Sequence, residues 1–272
     1  MAVDLHSHTT VSDGALAPAE LVALAAQRGV NVLAITDHDT MGGIAAARAA
    51  AGSEVTVLAG VELTCHVDGR EAHILGYGID PDDAAFQTAL ERFTRQRAER
   101  AATIVEKLNA VGIEMTFDEV AAISGSGTIA RPHVAQALVA RGVVGSLNEA
   151  FTRFLGRGAP AYVDKPRFEP GQAFDLVKAA GGVPSLAHPG TFARDQFIPE
   201  LVAAGLEALE VRHTEHSAAQ CGHYERLAEQ HGLLPTGGSD FHGTPGHRSR
   251  LGVPLVPEAW AEALMARVRA PR

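Results

Sequence analysis

Apolar residues along this chain fall into two alternating rhythms. Short apolar runs, of the length of buried strands, are separated by stretches in which apolar positions recur every three or four residues, as on helices. The runs predict strands at Val3–His6, Asn31–Thr36, Val55–Leu63 and Ala72–Tyr77. Between them, Pro18–Gln27 reads as a helix with proline near its start and Gly29 just past its end, and Gly43–Ala51 as a small-residue helix. After Gly181-Gly182 the alternation resumes with strands at Val183–Ala187, Leu206–Val211 and Leu233–Thr236, and helices near Gln196–Ala204 and Ala218–His231. Repeated strand–helix units of this size predict an α/β fold built on a parallel sheet or barrel. The middle differs, because Pro81 to about Pro160 carries helical periodicity throughout. A long charged helix, Ala84–Val111, opens it, and helices near Phe117–Ile123, Pro132–Arg141 and Ser146–Phe154 follow. Tyr162-Val163-Asp164 is then expected to re-enter the barrel as a strand. The predicted organisation is a discontinuous barrel of residues 1–80 and 160–272, with residues 81–159 inserted as a helical cap over its mouth.

Composition narrows the class. The chain has 272 residues, 46% of them hydrophobic and 20% charged, enough for a full-sized core. Neither a leader nor an apolar run near the roughly 18 residues of a membrane span is visible. Two cysteines, Cys65 and Cys221, make neither a disulfide framework nor a metal pair, so they read as buried thiols of a cytoplasmic protein. The net charge of −9 excludes a general nucleic-acid-coating surface. It leaves room for an anionic substrate, because bound cations reverse the local sign. No membrane association and no obligate protein partner are expected.

The chemistry sits where the apolar runs end. Six histidines and three carboxylates stand there: His6 and His8, Asp13, His38, Glu62, His73, His188, and Asp240 with His242. Imidazole nitrogen and carboxylate oxygen are donors for borderline divalent metals, and nine of them exceed the needs of one ion. Residues two apart on a strand face the same way, so His6 and His8 can grip one cation. Asp240 and His242 have the same spacing, and Gly237-Gly238 before them is expected to turn the backbone tightly. Two or three divalent ions follow, with manganese first and iron or zinc as alternatives, since no thiolate is among the donors.

His6-x-His8, Thr36-Asp37-His38, Glu62, His73, Ala187-His188-Pro189 and Gly238-Ser239-Asp240-x-His242, in this order, resemble the PHP (polymerase and histidinol phosphatase) family of metallophosphoesterases. That resemblance implies a distorted (β/α)7 barrel with three metals at its C-terminal mouth. One metal would take His6, His8, Glu62 and Asp240; a second would share Glu62 and add His73 and His188; a third would take Asp13, His38 and His242. The helical insert and Ile129-Ala130-Arg131-Pro132-His133 further resemble the subgroup acting on 3′,5′-nucleoside bisphosphates and short 5′-phosphorylated RNA.

Around these ligands stand weaker candidates. Asp37, Asp39 and Ser239 read either as partners that orient imidazoles or as loop caps. Arg131 and His133 flank Pro132 at a helix start, where they could hold a phosphate or simply serve the helix. Arg97 and Arg100 share one face of the long helix and could hold a second phosphate or be solvated; Lys165 is a further phosphate candidate. His213 ends a barrel strand and is the candidate general acid, ahead of Glu215 and His216. His66, His223, His231 and His247 are expected at the surface. The expected reaction is hydrolysis of a bisphosphate's 3′-phosphate, or 5′→3′ trimming of short RNA. Histidinol-phosphate hydrolysis, a non-catalytic binding module of the same family and an amidohydrolase are the competing expectations.

Overall fold

The computed structural model describes residues 2–125, 129–164, 168–243 and 249–269. The chain forms two compact units, Met1–Thr88 with Arg167–Arg272, and Ala89–Pro166.

The first unit is built on one seven-stranded sheet in the order β1 to β7. Its elements are β1 (Ala2–Asp4), α1 (Pro18–Gln27), β2 (Val30–Ile35), α2 (Ile44–Ala50), β3 (Thr56–Val67) and β4 (Arg70–Tyr77). The long α3 (Ala84–Ala110), α4 (Phe117–Ser124), α5 (Arg131–Ala140) and α6 (Leu147–Ala150) follow. The barrel resumes with α7 (Pro170–Ala179), β5 (Val183–Leu186), α8 (Pro189–Phe192), α9 (Ile198–Ala203), β6 (Ala208–His213), α10 (Ala218–His231), β7 (Leu234–Gly238) and α11 (Glu258–Arg269). The sheet curls until its edges meet: Leu5 N–H donates to Gly237 O at 3.1 Å and His8 N–H to Phe241 O at 2.9 Å. These bonds leave few open edge groups, as in a barrel.

The distortion expected of the barrel has a local origin. β4 runs antiparallel to both β3 and β5, while the remaining neighbours are parallel. β3 continues past Leu63 to Val67 and returns through Asp68-Gly69, both in the left-handed region at φ 48° and 70°. Asp-Gly is a favoured two-residue hairpin turn, a signal present in the sequence but overridden there by the repeated strand–helix pattern. The hairpin register pairs Glu62 with Leu75, which makes His73 the diagonal neighbour of Glu62 on the same face.

Gly237-Gly238 serves a purpose other than the expected turn. Neither glycine has a positive φ; the left-handed residue is Asp240, at φ 52°. A Cβ on Gly238 would lie 2.3 Å from His6 N and 2.4 Å from His6 Cβ, so glycine is what lets β7 close on β1. Gly238→Ala is therefore expected to destabilise the fold by about 2–3 kcal/mol, as overpacked sites do. Calorimetry giving an unchanged melting temperature would refute this account of closure.

The second unit packs Ile104 and Leu108 of α3 with Val120 of α4, Val134 and Leu138 of α5, and Leu155. Thr116 caps α4 reciprocally with Glu119, whose carboxylate accepts from Thr116 N–H at 2.7 Å. Tyr162–Asp164 forms no strand, contrary to the sequence pattern. Instead its carbonyls are taken by α3 side chains: Val163 O accepts from Arg100 at 2.7 and 2.9 Å, and Tyr162 O accepts from Lys107 Nζ at 2.7 Å.

Candidate metal centre

β1 ends at Asp4, and the residues beyond it are held both by backbone bonds to Gly237, Phe241 and Thr36 and by buried side chains. Asp4, fully buried, accepts from the backbone of His6, Ser239 and Gly252 and from the Ser239 hydroxyl, tying the two ends of the sheet together. Ser7 donates to Ala34 O at 2.6 Å, so His6 and His8 project to the opposite side. Their Nε2 atoms lie 3.2–3.4 Å from Glu62 Oε2 and Asp240 Oδ1. Neither Nε2 has a hydrogen bond among the described residues.

That spacing is the fit test for a cation. Donors bonded to one ion at about 2.0–2.2 Å stand roughly 3.0–3.5 Å from one another. His6, His8, Glu62 and Asp240 form such a group, with every donor within 4.8 Å of the rest. His8, Asp13, His38 and His242 form another, His38, Glu62 and His73 a third, and His6, Glu210 and His213 a fourth. His188 joins through Glu62, with its Nε2 3.2 Å from Oε1. The residues fit a multinuclear centre, and Glu62 is its hub: His38 lies 3.2 Å and His73 2.7 Å from its oxygens. No cysteine sulfur belongs to these groups, and Cys65 and Cys221 are both buried.

Four imidazoles have their other nitrogen occupied, which settles which one faces the centre. His6 Nδ1 meets Glu210 Oε1 at 3.0 Å, and His73 Nε2 meets Glu71 Oε1 at 2.9 Å. His188 Nδ1 meets Thr191 Oγ1 at 2.8 Å, and His242 Nδ1 meets Asp240 O at 3.0 Å. His8 and His38 instead reach from one donor group to the next: His8 Nδ1 is 3.7 Å and His38 Nε2 3.9 Å from Asp13.

Charge pairing dominates the electrostatics. Burial opposes a positive charge on His8, but the adjoining Asp240 and Glu62 carboxylates outweigh it and push its pKa up to about 10. Burial likewise opposes charge on His73, and Glu62 and Glu71 raise it to about 9. Burial works against the carboxylates too, yet the surrounding histidines hold Asp13, Glu62 and Asp240 well below the usual range. Negative oxygens this buried require cationic partners, whether protons on imidazole or metal ions.

All nine predicted ligands thus converge, and His213 lies beside them, 3.5 Å from Asp240 Oδ2. His38, Glu62, His73, His188, Asp240, His242 and His213, together with Thr191, Thr214, Glu215, Ser239 and Ser249, line a cleft of about 460 Å³. Two carboxylates went unnoticed in the sequence. Glu71 lies beside His73, and Glu210 is fully buried within Ala208-Leu209-Glu210-Val211. A lone acid inside a buried apolar run is itself a signal, because such a charge must be paired. Asp37 touches no imidazole; it accepts from Thr9 N–H and from the hydroxyls of Thr9 and Ser12, ordering the loop after His8. Ser239 donates to Asp4 rather than to a histidine. His216 is buried and bridges Val211 O to Gly190 N–H.

In the helical unit Arg100 is 9% exposed and spends two donors on Val163 O, which removes it from solvent. His133 Nδ1 accepts from Ala130 N–H at 3.1 Å, so it caps α5. Arg131 stacks over Phe151 at 5.8 Å, and Arg97 is half-buried on α3. Lys165 lies outside the described residues, as does His247. His66 and His231 are half-buried, and His223 pairs with Asp195 at 2.7 Å.

Known proteins resemble this chain over most of its length. The PHP domain family matches residues 4–151. A 3′,5′-nucleoside bisphosphate phosphatase from Chromobacterium violaceum is 36% identical over 255 residues, covering 91% of this chain and 89% of that protein. The 5′-3′ exoribonuclease Rnm of Escherichia coli is 36% identical over 247 residues, 88% of this chain and 84% of that one. A crystal structure from Bifidobacterium adolescentis, assigned as a metal-dependent phosphoesterase, superposes with a TM-score of 0.88 at 32% identity, covering 97% and 95% of the two chains. With this family matched over more than half of its length and a relative 36% identical over 91% of it, the chain is a member of the PHP domain family.

Proposed function

We propose that this protein is a metal-dependent phosphoesterase that removes the 3′-phosphate of nucleoside 3′,5′-bisphosphates, leaving the 5′-monophosphate, and that it also trims short 5′-phosphorylated RNA in the 5′→3′ direction. The observation that carries this reading is the set of donor groups linked through His6, His8, His38 and Glu62, several of whose members open onto one cleft. Similarity to a bisphosphate phosphatase and to an exoribonuclease, each across most of its length, supports the substrate class.

The ligands are His6, His8, Glu62 and Asp240 for one ion, Glu62, His73 and His188 for a second, and Asp13, His38 and His242 for a third. Manganese is our first choice, with iron or zinc as alternatives; oxygen and nitrogen donors without thiolate suit all three. When bound, such ions acidify water and draw charge from phosphorus. The chain's own residues do the rest. Glu62 and Asp240 hold the imidazoles in register, and Glu210, Glu71 and Thr191 keep their second nitrogens turned away. His213, whose proton is favoured by Asp240 and Glu210 against the effect of burial, is the donor to the departing ribose oxygen. Thr214 and Ser249 form part of the cleft wall, the Thr214 hydroxyl being held by Ser239 O at 2.7 Å.

The test is metal analysis of the purified protein together with rates on adenosine 3′,5′-bisphosphate, a short 5′-phosphorylated RNA and histidinol phosphate. Preference for histidinol phosphate, or full activity after exhaustive chelation, would overturn the proposal. The second phosphate is assigned to Arg131, with Arg97, His133 and Lys165 as supporting candidates. Arg131→Ala is expected to raise KM for the bisphosphate by about 10–100-fold, the worth of one charged hydrogen-bonded contact, and to leave an aryl phosphate nearly unchanged. Equal effects on both substrates would remove Arg131 from recognition.

A further inference from the structure

Glu210 stands in the middle of β6, fully buried, where an apolar residue would complete the strand. Both its oxygens are engaged, and each by a different ligand segment. Oε1 faces His6 Nδ1 at 3.0 Å, and Oε2 accepts from the backbone N–H of His188 at 2.6 Å. An ionised carboxylate only accepts, so His6 carries its proton on Nδ1 and turns the lone pair of Nε2 toward Glu62 and Asp240.

His188 adds an independent demand. Its backbone is left-handed, at φ 26° and ψ 60°, a costly region for a residue with a side chain. Glu210 binds the N–H of that residue, and the Thr191 hydroxyl binds its carbonyl at 2.9 Å. The Thr191 oxygen also takes His188 Nδ1, leaving Nε2 on Glu62. Two histidines far apart in sequence are thereby aimed by opposite ends of one carboxylate.

We propose that Glu210, although grouped within 4.8 Å of donors on His6 and His213, is a positioning residue that aims His6 and His188 together at the cation centre rather than a ligand: Oε1 faces the His6 nitrogen turned away from Glu62 and Asp240, and Oε2 takes a backbone N–H. The inference rests on the metal-centre reading above, and it predicts that the affinities of the two flanking sites fall together. In Glu210→Gln the side-chain amide presents one N–H₂ group, so one of the two contacts must become donor against donor. Outer partners of this kind are worth about 10–100-fold in metal affinity.

The experiment titrates Mn²⁺ into metal-stripped full-length protein by calorimetry, comparing the parent, Glu210→Gln and Glu210→Asp. The Asp variant keeps the charge but is one methylene too short to span both contacts. Zinc-loaded samples give a second readout, the hydrogen-bonded Nδ1–H resonance of His6 by NMR. Expected results are Mn²⁺ affinity 10–100-fold weaker in both variants and loss of the His6 resonance in Glu210→Gln. Affinity within threefold of the parent in whichever variant folds would overturn the proposal. So would a lowered melting temperature of the stripped protein accompanied by unchanged affinity, the mark of a merely structural acid. Failure of the parent itself to bind Mn²⁺ would instead refute the metal centre.

Discussion

Replacing Glu62 by glutamine is expected to abolish more activity than any other single substitution, by about 10³-fold in kcat or more. At 1.36 kcal/mol per tenfold this is about 4 kcal/mol of barrier. The reason is its place at the hub. Its two oxygens lie within 3.4 Å of nitrogens on His6, His8, His38, His73 and His188, which come from four separate segments. Glutamine preserves the volume, so the barrel should fold. Yet the amide has one acceptor oxygen instead of two and no charge, and it presents N–H₂ to an imidazole. Bound manganese per chain should fall with the rate, and mass spectrometry of the metal content separates loss of cations from a direct effect on substrate. A variant that retains its full metal complement and stays within tenfold of the parent rate would remove Glu62 from the centre.

Chelation is expected to have the second large effect, with a definite dependence on pH. A cation present at 100 times its Kd adds about 2.7 kcal/mol of stability, on the order of 5–10 °C in a protein of this size. Stripped protein keeps its carboxylates buried, and protons on the imidazoles take over the pairing. For His8 and His73 the folded pKa values are raised from the model-peptide value of 6.5 to about 10 and about 9. Their stabilising contribution is complete below pH 6.5 and is lost as pH rises through those values. Asp13, Glu62 and Asp240 are depressed, so their contribution holds above the ordinary carboxylate range and disappears in acid. Metal-stripped protein should therefore be most stable between about pH 4.5 and 6.5. Manganese competes with protons and binds better as they leave. The melting-temperature gap between loaded and stripped protein should widen from pH 6.5 to pH 9. Scanning fluorimetry across that range checks it, and a gap that stays constant or narrows would refute the charge pairing described for the centre.

Much of this was legible without coordinates. α1 and α10 begin and end where proline, Ser217 and the following glycines place them, because helix caps are local. His6, His8, His38, His188, Asp240 and His242 were visible because each follows a short apolar strand, where a barrel opens to solvent, whereas Glu62 and His73 lie inside β3 and β4 and Asp13 in the loop before α1. Other features were legible only in retrospect. Asp68-Gly69 marks the hairpin that reverses β4, and the lone acid of β6 marks Glu210, but each competes with a stronger regional pattern.

Residue type and spacing alone determined the donor chemistry, the number of strand-end ligands and the interruption of the barrel by helices, since all three depend on contacts close in sequence. Tertiary structure decided which donors share a group, which nitrogen several histidines present, and that Arg100 binds Val163 O while His133 Nδ1 caps α5. Those outcomes depend on distances between segments as far apart as His6 and Glu210, or Asp4 and Ser239. Only the closure of the sheet, with β7 drawn against β1 at Gly238, brings such segments within hydrogen-bonding reach.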